Sequence, residues 1–154
     1  MPQGVVVSIH LTPTGAAAPA PVGAATAVEG RGLEGDRYFA GSGSYSARPG
    51  PDREVTLIEI EAIEALEREH GISIPPGDSR RNVVTRGVRL DDLVGREFRL
   101  GAATLRGVRR CDQCAYLESL TRPGVLKGLV DRGGLRAQVV SGGVVRVGDT
   151  LETS

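Results

Sequence analysis

The stretch REFRLGAATLRGVRRC, residues 96–111, alternates apolar and polar positions on either side of one glycine, Gly101. Period-two alternation sends one set of side chains to a buried face and the other toward solvent. A glycine between two such runs reads as a hairpin. The pattern recurs along the chain. RRNVVTRGV (80–88) is a short β-branched run, and LRAQVV-SGG-VVRVGDTL (135–151) is strand, glycine turn and strand. GVVVSIHL (4–11) is a further strand near the N-terminus. Strands are therefore expected near 4–10, 81–85, 96–100, 103–109, 135–140 and 144–147. Pieces this short and this often broken by glycine fold as barrels or sandwiches. The expected class is mainly β, a barrel-like core with a few short helices, in one domain over residues 1–154.

Helices are few. REVTLIEI (53–60) begins as a strand and passes into a helix over Glu59–His70, with Ile60, Ile63 and Leu66 on one face and Gly71 as its stop. Glu59, Glu61, Glu64, Glu67 and Glu69 form its solvated side. CAYLESL (114–120) and PGVLKGLVDRGG (123–134) read as two more helices, the second opened by Pro123. No long strand–helix alternation is present, which argues against a doubly wound fold. TPTGAAAPAPVGAATA (12–27) has no periodicity and is expected to be surface loop, with a ligand-covering lid as the alternative.

Zero formal net charge hides an asymmetry. Residues 1–78 hold 5 Arg against 11 Asp and Glu, whereas residues 79–154 hold 13 Arg and 1 Lys against 8 acids. An anionic ligand would sit with the second half. Arginine supplies a planar, permanently charged fork for phosphate or carboxylate. Only 3% of residues are aromatic, too few for base-stacking platforms, which argues against nucleic acid. No apolar run approaches membrane-spanning length, and MPQGVVVSIHL has no basic n-region, so a cytoplasmic location is the default.

Both cysteines, Cys111 and Cys114, follow Arg109 and Arg110 in RRCDQCAYLESL (109–120). A structural zinc needs four ligands, and the two histidines, His10 and His70, are 60 residues apart. A thioredoxin-type pair needs a βαβ setting that is missing. Cys111 ends a predicted strand beside two arginines, a setting that favours thiolate. Such a thiolate can be a nucleophile, a persulfide carrier or a soft-metal ligand. An inert thiol and a dithiol pair remain open on these residues alone.

SRRNVVTRGV (79–88), LVGREFRLG (93–101), RRCDQCAYLESL (109–120) and RGGLRAQVVSGGVVRVGDTLE (132–152) resemble, in this order and spacing, the MOSC domain. GLEGDRY (32–38) and VTLIEIEAIEAL (55–66) are similar to the first half of small bacterial members. The resemblance implies a mainly β fold that binds the pterin-dithiolene molybdenum cofactor. It implies Cys111 as molybdenum ligand or sulfur carrier, and Arg80, Arg81, Asn82 and Arg110 as the cofactor-binding residues, the first three in the region that helps hold the pterin phosphate. An anionic phosphate needs guanidinium forks, and an asparagine amide can bond pterin heteroatoms. Three functions are in play: a small molybdoenzyme reducing N-hydroxylated compounds, a persulfide carrier, or a non-catalytic cofactor-binding module. The first needs a separate electron-donor reductase, because the chain has no flavin or nicotinamide fingerprint. The second needs a separate cysteine desulfurase.

Overall fold

The computed structural model describes residues 3–11, 20–34, 54–71, 82–110 and 134–153. Eleven strands and one α-helix occupy them: β1 (Gln3–Leu11), β2 (Ala20–Val22), β3 (Ala24–Val28), β4 (Gly32–Leu33), β5 (Val55–Glu59), α1 (Ile60–His70), β6 (Val83–Arg86), β7 (Glu97–Leu100), β8 (Ala103–Arg110), β9 (Leu135–Ser141), β10 (Gly143–Arg146) and β11 (Thr150–Thr153). The main sheet runs β11-β7-β8-β9-β5-β6-β1-β2, and β11 also pairs with β1. That last pairing closes seven strands into a barrel, with β2 appended to β1. Closure removes the open edges that a short-stranded sheet would otherwise expose. The parallel pairing of β5 with β6 follows from α1 lying between them in the chain as a crossover. A second sheet, β10-β3-β4, packs against β8 and β9.

The alternation seen in the sequence is the in–out pattern of this barrel. Phe98, Leu100, Ala103, Leu105, Leu135, Ala137 and Val139 enter one core with Val6, Ile9, Val55, Leu57 and Val83. Leu90 and Leu93, from a 3-10 turn at Leu90–Leu93, complete it. On the other face of β5 and β6, Ile58 and Val84 are buried where α1 packs with Ile60, Ala62, Ile63 and Ala65.

The six expected strands are present, each within a few residues of its expected bounds, and the chain is mainly β as expected. The tract 12–27 differs. Its second part is strand, β2 and β3, where a loop is expected. β3 reads AATAV, and Ala25 and Ala27 are its buried positions. Alanine is a poor strand former, so the alternation there is between small residues and carries little hydrophobic contrast. Pairing with β10 and β4 supplies what local propensity does not. The expected helices 114–120 and 123–134 lie outside the described residues. Among the described residues no helix is long and apolar enough to cross a membrane.

Candidate functional site

One transverse row of the barrel is polar along its outer side. Thr56 on β5 is the register partner of Arg136 on β9, and Arg136 that of Arg109 on β8. Asn82, just before β6, donates its backbone N–H to the Thr56 carbonyl at 2.9 Å, and its own carbonyl accepts from His10 of β1 at 2.7 Å. His10, Asn82, Thr56, Arg136 and Arg109 thus cross five strands, about 19 Å at the usual strand spacing. Leu135, Ala137 and Val139 face the core, so Arg136 projects from the opposite face. Four members are nonetheless buried: Asn82 is 1% exposed, Thr56 2%, His10 7% and Arg136 8%. A buried polar row on the outside of a barrel is an arrangement that needs satisfied partners.

Asn82 is the clamp of the row. Its Oδ1 accepts from the Thr56 amide at 3.0 Å and the Thr56 hydroxyl at 3.2 Å, and its Nδ2 donates to the His10 carbonyl at 3.3 Å. Its amide therefore ties β1 to β5 across the start of β6. His10 Nε2 lies 2.8 Å from Ser8 Oγ. Glu54, immediately before β5 and also buried, accepts through Oε1 from the Val139 amide at 2.8 Å. Burial pushes its carboxyl pKa up, against the opposing pull of that hydrogen bond.

Of the expected site residues, Asn82 and Arg110 are described, while Arg80, Arg81, Cys111 and the neighbouring Cys114 lie outside the described residues. Arg80 and Arg81 lead directly into Asn82, and Cys111 directly follows Arg110. The two motifs are anchored in the same sheet: Arg110, Leu135, Leu57 and Val83 share one register line. Three strand spacings separate its ends, about 14 Å along the sheet.

The side chains nearest the two motifs do not all share a face. A bulge between Gly107 and Arg109 reverses the alternation of β8, which puts Arg109 on the polar row and Arg110 in register with core-facing Leu135. At the end of the barrel Arg110 meets Asp91, Nε to Oδ1 at 3.6 Å, an exposed pair of small energetic weight. Sequence reasoning missed Thr56, His10 and Arg136. Arg136 carries a signal: an arginine between Leu135 and Ala137 interrupts an apolar strand.

Two further motif residues, Gly134 and Asp149, are architectural. Gly134 enters β9 at φ +109°, and a Cβ there would collide with the Leu57 carbonyl oxygen. Asp149 of the closing V-G-D accepts from the Arg146 amide at 2.8 Å and holds the turn between β10 and β11.

The fold matches solved structures. The YuaD protein from Bacillus subtilis superposes with a TM-score of 0.80 over 97% of this chain and 94% of its own, at 17% identity. YiiM from Geobacillus stearothermophilus gives 0.75 over 98% and 75%, at 18% identity. YiiM from Escherichia coli gives 0.68 over 97% and 69%, at 20% identity. At such identities the likeness is one of fold. No curated protein matches the sequence. The family model of the MOSC domain matches residues 44–152, which takes in α1, the Asn82 clamp, Arg109 and Arg136. The chain therefore belongs to the MOSC domain family, a family associated with binding of the molybdenum cofactor.

Proposed function

We propose that this chain binds the pterin-based molybdenum cofactor and uses it to reduce N-hydroxylated compounds, with Cys111 as the metal ligand. The observation that carries the reading is the polar row. It aligns the residue that follows Arg80 and Arg81 with the residue that precedes Arg110 and Cys111, on one line across the sheet that is buried from His10 to Arg136 and exposed at Arg109.

The described donors fit a ligand of this kind. A pterin with a phosphate tail presents many acceptors and a dianion, and the row carries two guanidinium groups, Arg136 buried and Arg109 exposed. Asn82 is spent on Thr56 and His10, so its part is to hold the start of β6 and the arginines before it, rather than to lie along the ligand. Arg80 and Arg81 then bind the anionic end, and Arg110 flanks the thiolate. When bound, the cofactor supplies a two-electron centre that accepts the oxygen of an N–O bond. The overall change, R–NHOH with two electrons and two protons giving R–NH2 and water, balances only with an external donor. The electrons come from a separate reductase.

Purification from a host that makes the cofactor is the test. Near-stoichiometric molybdenum and pterin, with reduction of a hydroxylamino compound by an artificial donor, is the expected result. Metal-free protein whose cysteine releases thiocyanate with cyanide would replace this reading with the sulfur carrier.

A further inference from the structure

We infer that Arg99 and Arg146 form a second binding site, for a small phosphate-bearing anion, in a surface cavity beside the β7–β8 turn. The cavity measures about 480 Å³ and is shared by residues of β7, β10 and β11. Small-molecule sites span roughly 300–1,000 Å³. Both arginines are exposed, and both stand on fixed backbone. Arg99 lies in β7 between β11 and β8, in register with Glu152 and Thr104. Phe98 and Leu100 take the core side, which sends Arg99 outward. Arg146 ends β10. Its carbonyl accepts from the Asp149 amide at 3.0 Å, and its amide donates to Asp149 Oδ2 at 2.8 Å.

Two carboxylates, Asp149 and Glu152, line the same cavity. Even so, among the described residues neither guanidinium is in an ion pair or accepts a partner for its N–H groups. Opposite charges facing each other across strands ordinarily pair. Glu152 faces Arg99 directly but has a different partner. Asp149 Oδ2 is committed to the Arg146 amide and packs against Gly101, where a Cβ would collide with it. The acids are held by the protein, and the cations are left to the cavity. Each guanidinium carries five N–H donors in a planar fork. Two such forks on one cavity match the double charge and several acceptor oxygens of a phosphate, where a single carboxylate occupies one.

The site is separate from the residues assigned to the cofactor. Thr104, beside Arg99, and Arg110, at the end of β8, are six residues apart on that strand, about 20 Å. The inference therefore does not rest on the cofactor reading. An anion bound here would tie β10 of the small sheet to β7 of the barrel, and so favour the folded chain by mass action.

The test is a thermal shift at fixed ionic strength, with inorganic phosphate and with glycerol phosphate. Wild type should show a saturable shift with a Kd below about 1 mM for at least one of them. Arg99→Met and Arg146→Met should each weaken binding at least about ten-fold, and the double variant should abolish it. Arg99→Lys should restore part of the loss. Arg106→Met removes an exposed arginine of β8 outside the cavity and should leave binding unchanged. No saturable shift in wild type overturns the site. Equal weakening by Arg106→Met also overturns it, because the attraction would then be diffuse charge. Tighter binding of glycerol phosphate makes a phosphomonoester the ligand, and equal binding makes it free phosphate. Arg99→Met from a cofactor-making host should keep the wild-type molybdenum and pterin content. Loss of both would show that this cavity is no separate site, whereas wild-type protein without molybdenum that still binds phosphate would sink the cofactor reading alone.

Discussion

Asn82 and Thr56 bond to each other in both directions. Thr56 gives its amide and hydroxyl to Asn82 Oδ1, and its Oγ1 accepts the Asn82 amide at 3.0 Å. This reciprocal pair fixes the register of the parallel β5–β6 step, where a slip of one residue would turn Leu57 and Val83 out of the core. Asn82→Ala leaves a buried amide and hydroxyl on Thr56 and a buried carbonyl on His10 short of a partner. The expected loss is about 2–3 kcal/mol by urea denaturation, from unsatisfied buried groups. Asn82→Asp keeps the acceptor and loses the donor to His10, so it should fall between the two. A loss below about 0.5 kcal/mol for the alanine variant would mean that water or relaxation replaces the clamp.

Gly134 and Gly30 separate two costs that glycine substitutions usually mix. Both have positive φ, +109° and +72°. An added Cβ meets nothing within 4 Å at Gly30 but collides with the Leu57 carbonyl at Gly134. The backbone penalty, about 1–3 kcal/mol, applies to both. Gly134→Ala should therefore lower the melting temperature clearly more than Gly30→Ala. Equal shifts would show that β9 can move away from β5 without loss.

Much of this barrel is legible as alternation, because six of its strands put β-branched or large apolar residues on alternate positions. What alternation cannot reveal is closure, since the β1–β11 pairing joins segments nearly the whole chain apart. It also misses β3, where Ala25 and Ala27 face the core with too little side chain to mark a strand. In the candidate site the motifs themselves are readable, as arginines, an asparagine and a cysteine in order. The bulge in β8 is not: unbroken alternation from Leu105 would send Arg109 inward, and the register shift sends it to the row instead. Thr56 was illegible because its importance comes from facing Asn82 across strands, and Arg136 showed only as a charge in an apolar strand, its place opposite Thr56 and Arg109 being set by register.

Glu54 gives a pH signature. Burial raises its folded-state carboxyl pKa above the ordinary 4.5, so the folded chain holds this proton to higher pH than the unfolded chain does. Stability from this group must then fall as pH rises from the ordinary value through the raised one, and stay low above it. Glu54→Gln keeps an oxygen that can accept from the Val139 amide and removes the buried charge. It should be as stable as wild type at low pH and more stable at neutral pH, with a flatter profile across the carboxylate range. Thermal melts at a series of pH values read this directly. A variant that tracks wild type at every pH would show that the carboxylate is solvated when charged. Glu59 is also raised, by burial first, and is unchanged in this comparison.

The last prediction separates the two cysteines. Cys111 directly follows Arg110, the last residue of β8, in the chain and is two residues past Arg109, and it is the cysteine of the Arg-Cys element that resembles the family's. Cys114 lies three residues further along the chain. A soft metal or a persulfide sulfur is held by one thiolate, and positive neighbours favour that thiolate over the thiol. Cys111→Ser, prepared in a cofactor-making host, should lose molybdenum while keeping its melting temperature within a few degrees, and should lose cyanide-labile sulfur after exposure to a cysteine desulfurase. Cys114→Ala should retain most of both. Molybdenum and pterin measured per chain then divide the readings. Metal lost with pterin retained in Cys111→Ser means the thiolate holds the metal, while other groups, Arg80 and Arg81 first among them, hold the organic part. Metal and pterin lost together means the thiolate anchors the whole ligand. Equal losses in both cysteine variants would instead make the pair a dithiol and overturn the assignment of Cys111 as sole ligand.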